Sequence, residues 1–177
     1  MATIDATVGG ASANSFVTEL EQIAYVADRL NLSLWSTVSG STLTDDEKKA
    51  LIEATREINR MRFIGTRVND TQALAWPRQN ATNLDSATYD YFSTTVLPQR
   101  LKNATMELAL QFIESGTTDV AALPDTDNVK RDKIDVLETE YFEYGRKRGL
   151  RRYPRVSGEL STLLESSSGL TSPLIRG

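Results

Sequence analysis

The chain has 177 residues, of which 40% are hydrophobic and 25% charged, with a formal net charge of −4 and neither cysteine nor histidine. This length suffices for one domain with a core of its own, and the composition is that of a folded globular protein. Without cysteine or histidine the chain has no disulfide, no thiolate metal site and no Ser-His-Asp or Cys-His catalytic machinery.

Other sequence features also argue against an enzyme or a membrane protein. The sequence has no phosphate-binding loop, dinucleotide fingerprint or zinc spacing, and Asp125 and Asp127 fall in what reads as a solvated linker. No apolar run approaches the roughly 18 residues of a membrane span. The N-terminus lacks the basic head and apolar middle of a signal peptide. We therefore expect no catalytic, cofactor-binding or metal-binding residue, no membrane contact, and synthesis in the cytoplasm without export.

Two capping boxes predict the first two helices. Thr18 with Glu21 indicates a helix over 19–31, and Thr44 with Glu47 indicates a helix over 45–63 that ends before Gly65. The first helix carries an apolar stripe that we expect to face the core: Leu20, Ile23, Ala24, Ala27 and Leu30.

The region 65–86 is predicted to be an ordered loop because Trp76 precedes Pro77, which disfavours helix at the tryptophan. We expect Trp76 to be buried and to attach this loop to the core. The alternative is an exposed tryptophan on which a nucleic-acid base stacks. Pro98 and Gly116 then bracket a third, central helix over 98–115.

Residues 129–144 change to a period-two pattern rich in threonine, tyrosine and valine, which predicts a β-hairpin with a bend near Asp132–Asp135. A lone hairpin is marginal in water, so we expect its edges to pair with another chain or to pack on the helices. The predicted fold is mainly α: a small bundle of three main helices, a short β-hairpin and an extended C-terminal arm.

The predicted arm, 146–177, follows a helical domain over 1–145 that we expect to be complete without it. The arm begins with a basic strip, defined as Arg146, Lys147, Arg148, Arg151, Arg152 and Arg155. Sparse apolar positions follow, and with Tyr153 and Pro154 they are the predicted partner-docking residues: Val156, Leu160, Leu163, Leu164, Leu170, Leu174 and Ile175. The strip suits an acidic protein surface or nucleic acid. The alternative is a solvated, mobile tail.

Six blocks in order carry a family resemblance: ANSFVTELEQIAYVADR at 13–29, ALIEATREINRM at 50–61, QALAWPR at 72–78, ATMELAL at 104–110, VKRDKIDVLETEY at 129–141 and YPRVSGELSTLL at 153–164. Together they resemble phage head–tail adaptors, also called connector or head-completion proteins. They also resemble phage proteins labelled DnaT-like single-strand-binding proteins.

The adaptor resemblance implies a non-enzymatic structural protein of the virion neck. Copies of the chain, twelve in number, would form a ring under the portal protein, extend the DNA channel and link the head to a tail or nozzle protein. The arm would dock on the portal, and packaged DNA would pass without sequence-specific binding. The alternative is a single-stranded-DNA-binding replication protein that uses the basic strip over 146–155.

Overall fold

The computed structural model describes residues 1–30, 35, 42–88, 90–116, 131–134, 137–140, 150 and 153–165, with the two ranges between 131 and 140 described by their backbone. Their elements are, in chain order, α1 (Glu19–Ala27), α2 (Asp45–Asn59), β1 (Thr66–Arg67), β2 (Arg78–Gln79), α3 (Gln99–Ser115), β3 (Arg131–Ile134), β4 (Leu137–Glu140) and α4 (Pro154–Leu160). The predicted fold class, mainly helical with a short hairpin, is confirmed.

The central element of the core is α3, as predicted. Nine of its residues are buried, among them Leu101, Leu108 and Phe112, and Gly116 ends the helix in the left-handed conformation with a φ of 66°. Helices α2 and α4 both pack against α3. Both predicted capping boxes are present at α1 and α2, so these two starting points are confirmed.

The buried face of α1 differs from the predicted stripe. Of that stripe only Ile23 is buried, whereas Leu20 is 78% and Leu30 is 89% exposed. Two ion pairs explain this orientation of α1. Glu19 forms one with Lys48 on α2, at 3.0 Å, and Glu21 forms the other with Lys102 on α3. These contacts turn Gln22, Ile23 and Val26 toward the core and leave Leu20, Ala24 and Ala27 outside.

The β-structure consists of two separate two-stranded antiparallel pairs among the described residues. In the predicted hairpin, Arg131 pairs with Glu140 and Ile134 with Leu137, so the strands flank residues 135 and 136. The pair of β1 and β2 was not predicted. There Gly65, expected to end the second helix, has a φ of 74°, and a Cβ on it would lie 2.5 Å from the Gln79 carbonyl oxygen. Only glycine fits this approach of the two segments.

The described C-terminal residues belong to the core, which corrects the predicted boundary after residue 145. Val156 and Leu160 on α4 are buried, as are Leu163 after it and Leu150 before it. The chain then runs beside the end of α2: the Ile64 amide donates to the Leu163 carbonyl at 3.1 Å, and the Glu165 amide donates to the Arg62 carbonyl at 3.0 Å. The helical domain is thus not complete without Leu150 and residues 153–165.

This placement predicts a large effect of Leu160→Ala on stability. Removing a fully buried leucine side chain lowers the free energy of unfolding by about 2–5 kcal/mol, through lost burial and the cavity left behind. The matched control is Leu20→Ala, an exposed leucine on α1, for which we expect a change below about 0.5 kcal/mol. Urea unfolding followed by circular dichroism measures both. An unchanged midpoint for Leu160→Ala would show that α4 does not belong to the core.

Candidate functional site

The predicted docking residues fall into two groups. Among the described ones, Val156, Leu160 and Leu163 are buried inside the chain, Tyr153 and Leu164 are partly buried against the same core, and Pro154 is exposed as the first residue of α4. The other three, Leu170, Leu174 and Ile175, lie outside the described residues. For the buried three, docking on a partner would require opening the core, so they do not form a free docking surface.

Of the basic strip, only Arg155 lies within the described residues; Arg146, Lys147, Arg148, Arg151 and Arg152 lie outside them. Its side chain is 74% exposed, and its Nη1 lies 4.0 Å from the carboxylate of Glu107 on α3. The strip therefore ends at a point fixed to the helical core, beside a buried acidic group.

Glu107 is the centre of a polar cluster that joins three elements. Its carboxylate is almost fully buried, forms an ion pair with Arg29 and accepts a hydrogen bond from the Tyr25 hydroxyl. Arg29 also donates to the Tyr25 oxygen at 2.9 Å. Burial raises the pKa of Tyr25, although Arg29 acts in the opposite direction, so the phenol stays protonated and can donate. This cluster ties α1 and α4 to α3, which is a structural role.

The tryptophan of the 72–78 block is buried, as predicted. Trp76 is 1% exposed and makes edge-to-face contacts with Phe63, at 6.0 Å between ring centroids, and with Phe92, at 5.5 Å. Trp35 is buried as well. The alternative of an exposed Trp76 that stacks on bases is therefore wrong.

Two further side chains of this block hold the loop together. The amide oxygen of Gln72 accepts from the backbone of Val68 and Asn69, and its nitrogen donates to the Leu74 carbonyl at 2.7 Å. The guanidinium of Arg78 donates to the carbonyl oxygens of Ile64, Gly65 and Ala75, at 2.7, 2.5 and 3.3 Å. The polar side chains of the 72–78 block therefore hold this loop in place. From the sequence, only the tryptophan of the block was predicted to do so.

Several arginines near this loop have no acidic partner within the described part of the chain. Arg56 and Arg60 on α2 form ion pairs with Glu53 and Glu57, but Arg62, Arg67 and Arg78 form none there. Arg62 and Arg67 are exposed, and Arg67 lies directly opposite Arg78 in the β1–β2 pair. The proximity of Arg67 and Arg78 could not be predicted from the sequence, because only the β1–β2 pairing brings these two residues together.

Besides these arginines, another set of exposed side chains is not explained by the fold. We call it the α1 stripe and define it as Leu20, Ala24 and Ala27. These residues are spaced by four and three positions, so they share one side of the helix, and all three are exposed. Within the described ranges no group of three or more acidic residues could hold a metal ion. A search of the same ranges found no helix long and apolar enough to cross a membrane.

The Arg78 contacts predict a specific stability effect. Arg78→Met keeps much of the side-chain length but removes the donors to the three carbonyl groups, which lowers the free energy of unfolding by about 1–3 kcal/mol. Arg67→Met, the same change at the exposed residue across the strand pair, should alter it by less than about 0.5 kcal/mol. Thermal unfolding measures the stability of both variants. Equal stabilities would contradict the role of Arg78 in holding the loop together.

Comparison with known proteins identifies one family that matches this chain. The model of a family described as "Putative DnaT-like ssDNA binding protein" matches residues 2–177. A search of curated proteins and a search of solved structures each found no match. The family description agrees with the single-strand-binding alternative of the sequence analysis, and it does not name a head–tail adaptor. Because the match spans nearly the whole chain, the protein belongs to this DnaT-like family.

Proposed function

We propose that the protein is a non-enzymatic structural adaptor of the virion neck, which assembles as a ring under the portal, extends the DNA channel and links head to tail. Two observations support this proposal. The first is the ordered set of blocks that resembles head–tail adaptors. The second, which carries the structural argument, is the α1 stripe, because it offers an apolar surface to a partner without disturbing the core.

The stripe faces outward for a definite reason. The ion pairs of Glu19 with Lys48 and of Glu21 with Lys102 hold α1 on α2 and α3, so rotation of the helix to bury Leu20 would break both. Covering a side chain such as Leu20 is worth about 1.5–3 kcal/mol. In a closed ring each copy makes the same contact, so modest contacts act together.

The two tryptophans of the chain are not available to stack on bases. Strand-binding proteins commonly stack successive bases on exposed aromatic rings. Here Trp35 and Trp76 are both in the core, whereas Tyr91 is 63% exposed. The proposed partners are further copies of the chain, the portal protein, and a tail or nozzle protein, and DNA would pass through the ring without being read.

Leu20→Glu tests the stripe. A charge at this exposed position leaves folding unchanged but prevents an apolar contact, so we expect loss of oligomers and of association with the portal protein of the same virus. The control is Leu84→Glu, at a leucine that is 61% exposed in a loop and should assemble as the unaltered protein does. Sedimentation velocity and negative-stain microscopy with the portal are the readouts. Full assembly of Leu20→Glu would contradict the role of the stripe.

The second candidate function is that of a single-stranded-DNA-binding replication protein. It is supported by the family description and by Arg62 and Arg67, which are exposed and form no ion pair within the described part of the chain. Arg155 and the rest of the basic strip add further positive charge. Such a surface would hold phosphates without reading the base sequence.

A gel-shift experiment at physiological salt discriminates the two functions. The adaptor function predicts weak binding of single-stranded DNA, with a dissociation constant no tighter than about 1 µM, together with association with the portal. The replication function predicts much tighter binding to single-stranded DNA. Tight binding of the isolated protein, with no portal association, would contradict the adaptor proposal.

A further inference from the structure

The β1–β2 pair places two arginines side by side. Arg67 on β1 and Arg78 on β2 are direct partners in the antiparallel register, and such partners share one face of the strand pair with their Cβ atoms about 4.5–5.5 Å apart. Like charges in this arrangement repel each other and cost stability. We call these two residues the arginine pair.

The charge of the arginine pair is held in place and is not neutralised by a direct ion pair among the described residues. Arg78 uses its donors on three backbone carbonyl oxygens, which orient the guanidinium but carry no formal negative charge. Burial is the largest influence and lowers the pKa of Arg78, Arg67 lowers it further, and Glu165 opposes both. Arg78 remains charged at any physiological pH.

A third arginine lies close to the pair along the chain. Arg62 is exposed and lies two residues before Ile64, whose carbonyl oxygen accepts from Arg78. Two carboxylates are in the same region: Glu165, whose amide donates to the Arg62 carbonyl, and Asp70, which follows β1 in the chain. Neither forms an ion pair with these arginines within the described part of the chain, so three cations stand against two acids and positive charge is in excess.

We propose that the arginine pair, together with Arg62, is a binding site for the phosphate groups of single-stranded DNA. Arg67 presents its donors in a planar fork that matches phosphate oxygens, whereas Arg78 adds its charge and the N–H groups that its carbonyl contacts leave free. An anion bridging the pair would relieve its repulsion. Both tryptophans of the chain are buried, and contacts to phosphate oxygens carry no information about the base sequence. The choice of DNA as the ligand rests on the second candidate function, whereas the location rests on the structure alone.

The experiment measures fluorescence anisotropy of a labelled oligothymidylate of about 16 nucleotides, between about 50 and 200 mM salt. It compares the full-length protein with the double variant R62Q/R67Q and with R56Q/R60Q. The second double variant removes the same charge from exposed arginines that already pair with Glu53 and Glu57. Arg78 is left unchanged because its loss would disturb the loop.

We expect R62Q/R67Q to weaken binding at least fivefold at the lowest salt and to reduce the slope of log affinity against log salt by about 1.4, that is, about 0.7 per lost phosphate contact. We expect R56Q/R60Q to change affinity by less than about twofold. Circular dichroism of both variants should match that of the unaltered protein, since all four residues are on the surface.

Four outcomes would overturn the proposal. Equal weakening by both double variants would indicate a general charge effect, and polyglutamate competing as well as DNA would indicate a site for acidic protein. Binding that R62Q/R67Q leaves intact but that substitutions in the basic strip abolish would remove this site and keep the second candidate function. Absence of any DNA binding by the unaltered protein would remove both.

Discussion

The packing of α4 on α3 is the contact on which the rest of the structure depends. Val156, Leu160 and Leu163 fill the side of the core that α2 leaves open, and all three are essentially inaccessible to water. Burying each of these side chains is worth about 1.5–3 kcal/mol. Together they contribute an amount comparable to the net free energy of unfolding of a small domain. It also brings Arg155 beside Glu107, and so fixes one end of the basic strip against α3.

The packing of α4 on α3 determines how the segment between these two helices relates to the domain. Gly116 ends α3, and Leu150 is again buried in the core, so the residues on both sides of segment 117–149 belong to one domain. In chain order, β3 and β4 therefore lie between two parts of the same domain.

Local sequence rules predicted the elements that local chemistry determines. The capping boxes at Thr18 and Thr44 and the glycine after α3 all involve residues within one turn of each other, and all three are present. The orientation of α1 was not predictable in this way, since it depends on Lys48 and Lys102, far along the chain. The same holds for α4 and the residues after it. Val156, Leu160 and Leu163 looked too few for a core because their partners elsewhere in the chain supply most of it.

The 72–78 block shows why a family pattern indicates fold more readily than function. Gln72 and Arg78 use their polar groups, and Trp76 uses its ring, in contacts within the chain, so the fold accounts for these three residues of the block. Function must then reside in side chains that the fold leaves unused. On the described surface such side chains include Leu20 with its neighbouring alanines, and Arg62 and Arg67. The first set is apolar and suits another protein, while the second is cationic and suits a polyanion, so the proposed ring around DNA would use both kinds of surface.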